Sequence, residues 1–308
     1  MKCDCCGSEK VRELDPCREY CHLGCENCGF ERFSRGDSRI AAEVYENDAD
    51  YIDDLNVVSS PEDLILWHHL KALRFMQSKF PSGKATTLDV GCFNGFFVRK
   101  LLTLGFDAWG LDFNKSAVAF GQEKLGLGSR ISAHTIEELI DQGRRFDAIT
   151  LFEVLEHLPN SRTFLGNVAK LLKDGGVLIV STPNNRMCWR PPLDFPPHHL
   201  SRFTLKALEG YLSQLDMKVL YAAEQMSTYE LLRNYAGTFF RTGGGTSLRG
   251  GEFRHKRVTA LLRRSMNRMR KFLGALLILL DKLLYLFGVR YISQIVVAEK
   301  RTQPGDVR

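Results

Sequence analysis

Between residues 86 and 222, short apolar runs alternate with amphipathic stretches, and this alternation limits the possible folds most strongly. The apolar runs read TTLDVG, DAWGLDF, RISAHT, FDAITLF and GGVLIVSTPN. Strands that alternate with helices form βαβ units, whose parallel sheet is covered by helices on both faces. The sequence therefore predicts an α/β fold, to which YISQIVVAEK at 291–300 adds a last strand.

Composition divides the chain into five segments. Its 308 residues are 44% hydrophobic and 25% charged, which is typical of a globular protein large enough for one domain with appendages. We predict a cysteine-rich segment at 1–35, a helical cap or linker at 36–83, the α/β core at 84–222, an amphipathic helical insertion at 223–290, and the last core strand with a tail at 291–308.

A glycine-bearing turn follows the first core strand, in LDVGCFNG at 88–95. Ligands of doubly wound sheets bind at the carboxyl ends of the strands, where Asp89 and Gly91 lie. Asp112, at the end of the second strand, could accept both hydroxyls of a ribose. The spacing from Gly91 to Gly95 differs from the dinucleotide fingerprint, and Asp89 would repel a phosphate. An acid at this position favours a cationic ligand such as the amino group of S-adenosylmethionine.

Five motifs occur in this order: LDVGCFNG, GLDFN, FDAITLFEVLEHL, LLKDGGVLIVSTPN and PPHHLSRFT. Together they resemble the class I S-adenosylmethionine-dependent methyltransferases, in particular the ubiquinone-pathway O-methyltransferases and their bacterial relatives. The resemblance covers residues 84–222 and 291–300 and implies a Rossmann-like seven-stranded methyltransferase sheet that binds S-adenosylmethionine. Phe93 stands where the family usually has glycine, and His134 where it often has an acid at the adenine edge. The implied cofactor-binding residues are Asp89, Gly91, Cys92, Phe93, Asn94, Gly95, Asp112, Phe113, His134, Thr135 and Phe152.

The stretch LFEVLEHLPN follows the fourth core strand and carries candidate catalytic groups. On a helical turn Glu153, Glu156 and His157 share one face and could hold Mg²⁺ or another divalent cation. His199 is the first choice for a fourth ligand and His198 the second. The arrangement is similar to that of metal-dependent O-methyltransferases of catechol-like quinone precursors and of small-RNA 2′-O-methyltransferases, which implies a metal that orients and acidifies a hydroxyl. Alternatively, His157 or His199 acts as general base, or proximity alone suffices.

Seven of the nine cysteines lie within the first 28 residues, which favours metal binding in a reducing compartment over disulfides. Cys3-x2-Cys6 and Cys25-x2-Cys28, with 18 residues between the pairs, have the spacing of a zinc ribbon with four thiolates. Zinc would then be structural. Cys5, Cys17 and Cys21 leave the choice of ligands open, and Cys21-x3-Cys25-x2-Cys28 also has the spacing of a radical S-adenosylmethionine iron–sulfur motif.

The segment 254–287 combines an apolar stripe with basic residues. Apolar residues recur there at intervals of three and four, which predicts amphipathic helix. The stripe includes Leu261, Leu273, Leu276, Leu280 and Leu284, and the basic face includes Arg264, Arg268 and Lys271. Two interpretations stay open: contact with an anionic membrane surface, or ordinary packing with solvated basic residues.

These features predict S-adenosylmethionine-dependent methyl transfer, to a hydroxyl of a small-molecule, lipid-linked or glycan acceptor. The alternatives are RNA methylation and a non-catalytic zinc- and cofactor-binding module. Nucleic acid is disfavoured because PPHHLSRFT lacks interleaved basic and aromatic residues. Tyr45 and Tyr51 are candidate lid residues or ordinary core residues. The N-terminus has no apolar signal, and FLGALLILL is shorter than the roughly 20 residues of a membrane span, so we expect a cytoplasmic protein, peripheral to membranes if the apolar stripe binds them.

Overall fold

The computed structural model describes residues 1–17, 19–35, 65–187, 190, 194–225, 228, 276–277, 279–287 and 292–302. Several residues named above lie outside this part of the chain: Tyr45, Tyr51, Leu261, Arg264, Arg268, Lys271 and Leu273. The hypotheses that rest on them stay predictions.

A seven-stranded sheet forms the centre of the described structure, in the order β10-β11-β8-β7-β4-β5-β6. Its strands are β4 (Thr86–Val90), β5 (Asp107–Leu111), β6 (Ile131–Ser132), β7 (Phe146–Phe152), β8 (Leu172–Pro183), β10 (Met217–Gln225) and β11 (Ser293–Lys300). Strands β4 to β8 pair in parallel, whereas β11 runs antiparallel to both its neighbours, β8 and β10. The predicted Rossmann-like seven-stranded sheet is confirmed.

In the described part of the chain, six helices cover the sheet: α1 (Trp67–Lys79), α2 (Phe96–Thr103), α3 (Lys115–Lys124), α4 (Ile136–Asp141), α5 (Ser161–Leu171) and α6 (Leu205–Gln214). Polar residues fix where several of them begin, because the Asn114, Asn160 and Thr204 side chains each accept the backbone N–H three residues on. In β8, Leu178 and Val180 belong to one hydrophobic cluster and Val177 and Ile179 to another. Alternate side chains of a strand point to opposite faces, so both faces of the sheet are buried.

The cysteine-rich segment forms a second sheet, in the order β1 (Val11–Cys17), β2 (Tyr20–Cys25), β3 (Glu31–Ser34), β9 (Ser201–Arg202). Strand β9 comes from the loop between β8 and α6, so this small sheet is completed by the core. Phe30 packs against Phe203 with ring centroids 5.1 Å apart. The cysteine-rich segment thus lies directly against the loop that carries His198 and His199.

Residues 279–286 are helical and expose several apolar side chains. Leu276 is 60% exposed, Leu280 38% and Phe287 83%, with Leu279, Leu283 and Leu286 also exposed. Leu284 is half-buried, so the exposed face is broader than the predicted stripe. Among the described helices, none has the length and apolar content needed to cross a bilayer.

Candidate functional site

The glycine-bearing turn joins β4 to α2 and has left-handed backbone at three positions. Gly91, Phe93 and Gly95 have φ values of 78°, 53° and 79°. A Cβ on Gly91 would lie 2.5 Å from Val154 Cγ2, and one on Gly95 would lie 2.5 Å from Leu127 Cδ1. Both glycines are therefore required by conformation and by close approach. Phe93 adopts the conformation that the expected glycine would favour.

Two buried acids end neighbouring strands beside this turn. Asp89 is 3% exposed and accepts a hydrogen bond of 2.6 Å from the Thr150 hydroxyl. Burial raises the pKa of Asp89 to about 7, against the lowering effect of that hydrogen bond, and the charge of Asp112 adds to the rise. Asp112 accepts the backbone N–H of Phe93 at 2.6 Å and that of Asn114 at 2.9 Å. Asp112 thus supports the turn, and both carboxyl groups lie beside it at the ends of neighbouring strands.

Two residues of the turn, and one at the end of β7, are held in the interior. Cys92 is buried, and a Cβ on Gly110 would lie 2.7 Å from its sulfur. Burial raises the pKa of the Cys92 thiol. Asn94 is also buried, and its Oδ1 accepts the Phe96 N–H at 3.2 Å. Phe152, at the end of β7, contacts Phe97 with ring centroids 5.0 Å apart.

The remaining predicted cofactor residues lie toward the surface. Phe113 is 46% exposed, next to Asp112. Thr135 caps α4 in a capping box with Glu138, whose Oε2 also lies 3.0 Å from His134 Nδ1. His134 and Thr135 are therefore engaged at the start of α4. Their predicted contact with adenine stays a prediction.

Three of the four residues in the second predicted group, Glu156, His157 and His199, lie close together. One ligand atom from each lies within 4.8 Å of the others, and we call these three residues the carboxylate–imidazole cluster. The imidazole centroids of His157 and His199 are 4.7 Å apart. Glu156 is 1% exposed, and among the described residues no hydrogen-bond donor reaches either of its carboxylate oxygens. Burial, and then the charge of Glu153, raises its pKa well above the ordinary value.

Hydrogen bonds to the Nδ1 atoms orient the imidazole rings of His157 and His199. Since His157 Nδ1 lies 2.9 Å from the His198 carbonyl oxygen, Nδ1 carries the proton and donates it. His199 Nδ1 lies 3.0 Å from Asp194 Oδ1, so it donates to that carboxylate. Burial, and then the neighbouring His199, lowers the pKa of His157 to about 3. Both imidazoles thus have the carbonyl or carboxylate partner that typically orients a metal ligand.

Glu153 has a different environment from the other predicted ligands. Its backbone is left-handed, with φ of 54°, and only Leu155–His157 forms a helical turn, of 3-10 type. Glu153 Oε1 accepts from the Ser181 hydroxyl at 3.0 Å. The structure gathers Glu156, His157 and His199 and leaves Glu153 outside that group, while His198 contributes its carbonyl.

Sequence reasoning missed three residues around the site. Asp194 is 1% exposed and orients His199 through a hydrogen bond. Because Asp194 precedes His199 by five residues in the same loop, the sequence could have indicated it as a partner of that histidine. His68 and His69 of α1 are buried against Phe152, with ring centroids 5.2 and 4.5 Å away. His69 Nδ1 accepts the Leu66 N–H at 3.0 Å, which fixes its tautomer.

The four predicted thiols come together in the cysteine-rich segment. One sulfur from each of Cys3, Cys6, Cys25 and Cys28 lies within 4.8 Å of the others, and we call this group the thiol cluster. The Cys3–Cys28 and Cys6–Cys25 sulfurs are 3.6 and 3.7 Å apart. Tetrahedral zinc with bonds of about 2.3 Å requires sulfurs about 3.8 Å apart, so the cluster fits that ion. Cys21 is exposed and its sulfur lies 3.8 Å from Glu13 Oε1, outside the cluster.

A family described as methyltransferase domains matches residues 62–222, more than half of the chain. The chain belongs to this family. A ubiquinone biosynthesis O-methyltransferase of Coxiella burnetii (strain Dugway 5J108-111) is 32% identical over 115 residues, which are 36% of this chain and 49% of that protein. The chain thus spans about half the length of that curated relative.

Solved structures share the fold at low identity. A SAM-dependent methyltransferase from Archaeoglobus fulgidus has a TM-score of 0.51 and 16% identity, covering 82% of this chain and 100% of its own. The [4+2]-cyclase SpnF has a TM-score of 0.53 and 17% identity, covering 86% of this chain and 96% of its own. These likenesses concern the fold alone. Since a cyclase shares it, the reaction has to be argued from the site.

Proposed function

We propose that this methyltransferase-family protein transfers a methyl group from S-adenosylmethionine to an acceptor. The observation that carries the proposal is the pair of buried acids, Asp89 and Asp112, beside the left-handed turn from Gly91 to Gly95. Asp89 would face the ammonium of the cofactor and Asp112 its ribose. A carboxylate has about four lone-pair sites, so the two backbone donors on Asp112 leave room for hydroxyls.

The proposed acceptor atom is a hydroxyl oxygen of a small molecule. Glu156 and His157 of the cluster follow β7 directly, and Val154 of that connection lies so close to Gly91 of the turn that a Cβ there would be 2.5 Å from its Cγ2. Groups that can take a proton therefore adjoin the proposed cofactor site. O-methylation in the name of the relative from Coxiella burnetii supports the same acceptor class. Lipid-linked and glycan hydroxyls belong to the same proposal.

The cluster, with one carboxylate and two imidazoles, fits a divalent cation, and a transition-metal ion suits two imidazoles better than Mg²⁺ does. A buried carboxylate without hydrogen-bond donors is costly unless it is protonated or meets a cation, and Glu156 is such a group. Glu156, His157 and His199 would hold the ion through one oxygen and two nitrogens. When bound, the ion would orient the acceptor hydroxyl and lower its pKa.

Without a bound cation, Nε2 of His199 is not used as a ligand, and the chain then supplies a proton acceptor of its own. His199 Nδ1 donates to Asp194, so Nε2 is the atom of His199 that can take the proton of an acceptor hydroxyl. Asp194 then stabilises the resulting imidazolium. The hydroxyl oxygen forms its bond to the methyl carbon as the carbon–sulfur bond breaks, which leaves S-adenosylhomocysteine and a methyl ether.

The test uses the full chain with S-adenosylmethionine that carries a radioactive methyl group. The probes are a simple catechol and the matching ortho-diamine, each with and without Mg²⁺. We expect labelled catechol ether. Label on the diamine alone would contradict the hydroxyl while leaving methyl transfer intact. Absence of S-adenosylhomocysteine binding in calorimetry would overturn the whole proposal.

We also propose that the thiol cluster holds one structural zinc ion. Four sulfurs complete a tetrahedral site and leave no position for a substrate, so this zinc would contribute stability rather than chemistry. The neighbouring thiols of Cys28 and Cys5 lower the pKa of Cys3, and the Cys3 thiol in turn raises the pKa of Cys28. Metal analysis of the purified full chain should find one zinc per chain, and a coloured iron–sulfur cluster would contradict it.

A peripheral membrane contact is a further part of the proposal. The exposed face at Leu276, Leu280 and Leu283 supports it, and the sequence before it is rich in arginine and lysine. Each basic residue near an anionic leaflet contributes about 1 kcal/mol. The full chain should bind anionic liposomes, and the double variant Leu276→Glu/Leu280→Glu should lose binding while staying folded. Unfolding of that variant would identify these leucines as core residues.

A further inference from the structure

A chain of charged side chains connects the cysteine-rich sheet to the carboxylate–imidazole cluster. Glu31 of β3 accepts from Arg202 of β9 at 3.2 Å. Arg202 Nε lies 3.2 Å from Asp194 Oδ2, and Arg202 also donates to the Asp194 carbonyl at 2.8 Å. Asp194 Oδ1 accepts from His199 at 3.0 Å. We call these four residues, Glu31, Arg202, Asp194 and His199, the relay.

The two central residues of the relay are buried and closely packed, and Glu31 and His199 are half-buried. Asp194 is 1% exposed and Arg202 7% exposed. The Arg202 guanidinium carbon lies 4.7 Å from the ring centroids of both Phe33 and Phe195. A planar guanidinium that contacts two rings and two carboxylates has little freedom to reorient. Arg202 therefore connects Glu31 with Asp194, whose Oδ2 is also paired with Arg190 at 2.6 Å.

The other contacts of Glu31 come from residues that flank the site. His22 Nε2 of β2 lies 3.0 Å from Glu31 Oε2, and Asn185 Nδ2 donates to Glu31 Oε1 at 3.0 Å. Burial alone would raise the pKa of Glu31, but the hydrogen bonds from Asn185 and His22 and the charge of Arg202 lower it. Glu31 thus stays ionised at neutral pH and keeps its pairing with Arg202.

A backbone connection runs beside the relay. The Phe33 N–H of β3 donates to the Leu200 carbonyl at 2.8 Å, and the Leu200 N–H donates to the Glu156 carbonyl at 2.7 Å. The residue next to His199 is therefore hydrogen-bonded on one side to the cysteine-rich sheet and on the other to Glu156. Two members of the carboxylate–imidazole cluster are thus tied to β3.

Stability alone is a weak reason for such a relay. Burying ions carries a desolvation cost that their attraction often only offsets, so a buried network of charges is poor evidence of added stability. Residues that orient a ligating histidine, in contrast, change metal affinity by roughly 10- to 100-fold when they are mutated. Orientation of His199 is the role that this geometry suits.

We propose that Glu31, through Arg202 and Asp194, is a positioning residue for His199, so that the cysteine-rich sheet sets the geometry of the carboxylate–imidazole cluster. The proposal rests on the divalent-cation site proposed above and deepens it. It assigns the cysteine-rich segment a part in the site, in addition to its own stability. Glu31 itself touches neither substrate nor cofactor in this proposal.

The test measures Mn²⁺ affinity of the full chain by electron paramagnetic resonance, with zinc supplied during purification. The variants are Glu31→Gln, Asp194→Asn and the double variant. Asp194→Asn should weaken Mn²⁺ binding about tenfold, and Glu31→Gln about threefold. Because both act through the same carboxylate, the double variant should bind like Asp194→Asn alone.

The matched control is Arg32→Gln, one residue along β3. The Arg32 side chain pairs with Asp4 at 3.0 Å, within the cysteine-rich segment, and within the described part of the chain it has no hydrogen bond or ion pair with the relay. It should leave Mn²⁺ affinity unchanged. If Glu31→Gln gives no folded protein, Arg202→Lys replaces it, because lysine keeps the charge but cannot contact both carboxylates as a planar fork. Its expected loss is also about threefold.

The outcomes separate the two proposals. The proposed cation site fails if the unmodified chain does not bind Mn²⁺. It also fails if Mn²⁺ binding is unchanged in Glu156→Gln. If that site exists but Glu31→Gln, or Arg202→Lys in its place, behaves like Arg32→Gln, the relay fails alone. Strictly multiplicative losses in the Glu31→Gln/Asp194→Asn double variant would also overturn it, because the two residues would then act independently.

Discussion

The thiol cluster and the carboxylate–imidazole cluster both gather potential metal ligands, and they differ in what surrounds those ligands. The four thiols come from two short turns of one small sheet and complete a tetrahedron by themselves. The other cluster has three ligand groups, from the turn after β7 and the loop before β9. Closed sites stabilise a fold, whereas sites with open positions can bind a substrate. The protein therefore combines one cluster suited to structure with one suited to chemistry.

The two clusters also differ in their cost to the fold. The free energy of zinc binding to a ribbon contributes directly to folding, because the site exists only in the folded chain. The carboxylate–imidazole cluster instead buries Glu156 without donors and holds His157 neutral by lowering its pKa to about 3. Burial of ionisable side chains at a cost in folding free energy is typical of functional sites, and other parts of the structure compensate for that cost. We expect mutations to affect stability in one cluster and reaction rate in the other.

The largest effect should follow from Cys3→Ser with Cys6→Ser. Removing two of four ligands forfeits most of an apparent zinc affinity of about 10 kcal/mol or more. The purified variant should contain no zinc and should lose the amide protection of β1 to β3 in hydrogen exchange. Retention of zinc and of that protection would show that other thiols serve as ligands.

Glu156→Gln should instead affect cation binding and turnover while leaving the folded structure stable. Loss of a direct ligand should lower divalent-cation affinity and turnover by more than the roughly 10- to 100-fold expected for a residue that only orients a ligand. The melting temperature at neutral pH should stay the same or rise, because a neutral amide replaces a buried carboxyl that lacks donors. Glu153→Gln is the matched control, since Glu153 lies outside the group of three. Equal losses in both variants would restore Glu153 to the set of ligands.

A third carboxylate, Asp89, extends the comparison to the cofactor. Its pKa of about 7 means that it is largely protonated below neutral pH in the unliganded protein. A cationic ligand binds the ionised form, so S-adenosylhomocysteine affinity should fall as pH decreases from 7 to 5, by up to about tenfold per unit. Calorimetry across this range measures it. Asp89→Asn should bind weakly with a flat profile, and an equally steep profile in that variant would assign the titration to another group.

The clusters show what sequence could and could not predict. The sheet, the thiol pairs, and the placement of Asp89 and Asp112 at strand ends were predictable, because alternation and spacing are local signals, whereas the cofactor contacts of these acids stay predictions. The contact of Glu31 with Arg202 joins residues 171 positions apart, and the pairing of β3 with β9 depends on tertiary approach. The helical-turn argument grouped Glu153 with Glu156, whereas left-handed backbone at Glu153 places its carboxylate beside Ser181.

The smallest effects concern the cysteines outside the thiol cluster. Cys5 is fully buried and neighbours Cys3, so Cys5→Ala should lower the free energy of unfolding by about 1 kcal/mol through lost packing, with one zinc retained. Cys21 is exposed, and Cys21→Ser should change stability by less than about 0.5 kcal/mol, again with one zinc. Denaturant unfolding with metal analysis checks both. Loss of metal in Cys21→Ser would mean that Cys21, Cys25 and Cys28 form the ligand set, and the thiol cluster would then no longer be a closed structural site.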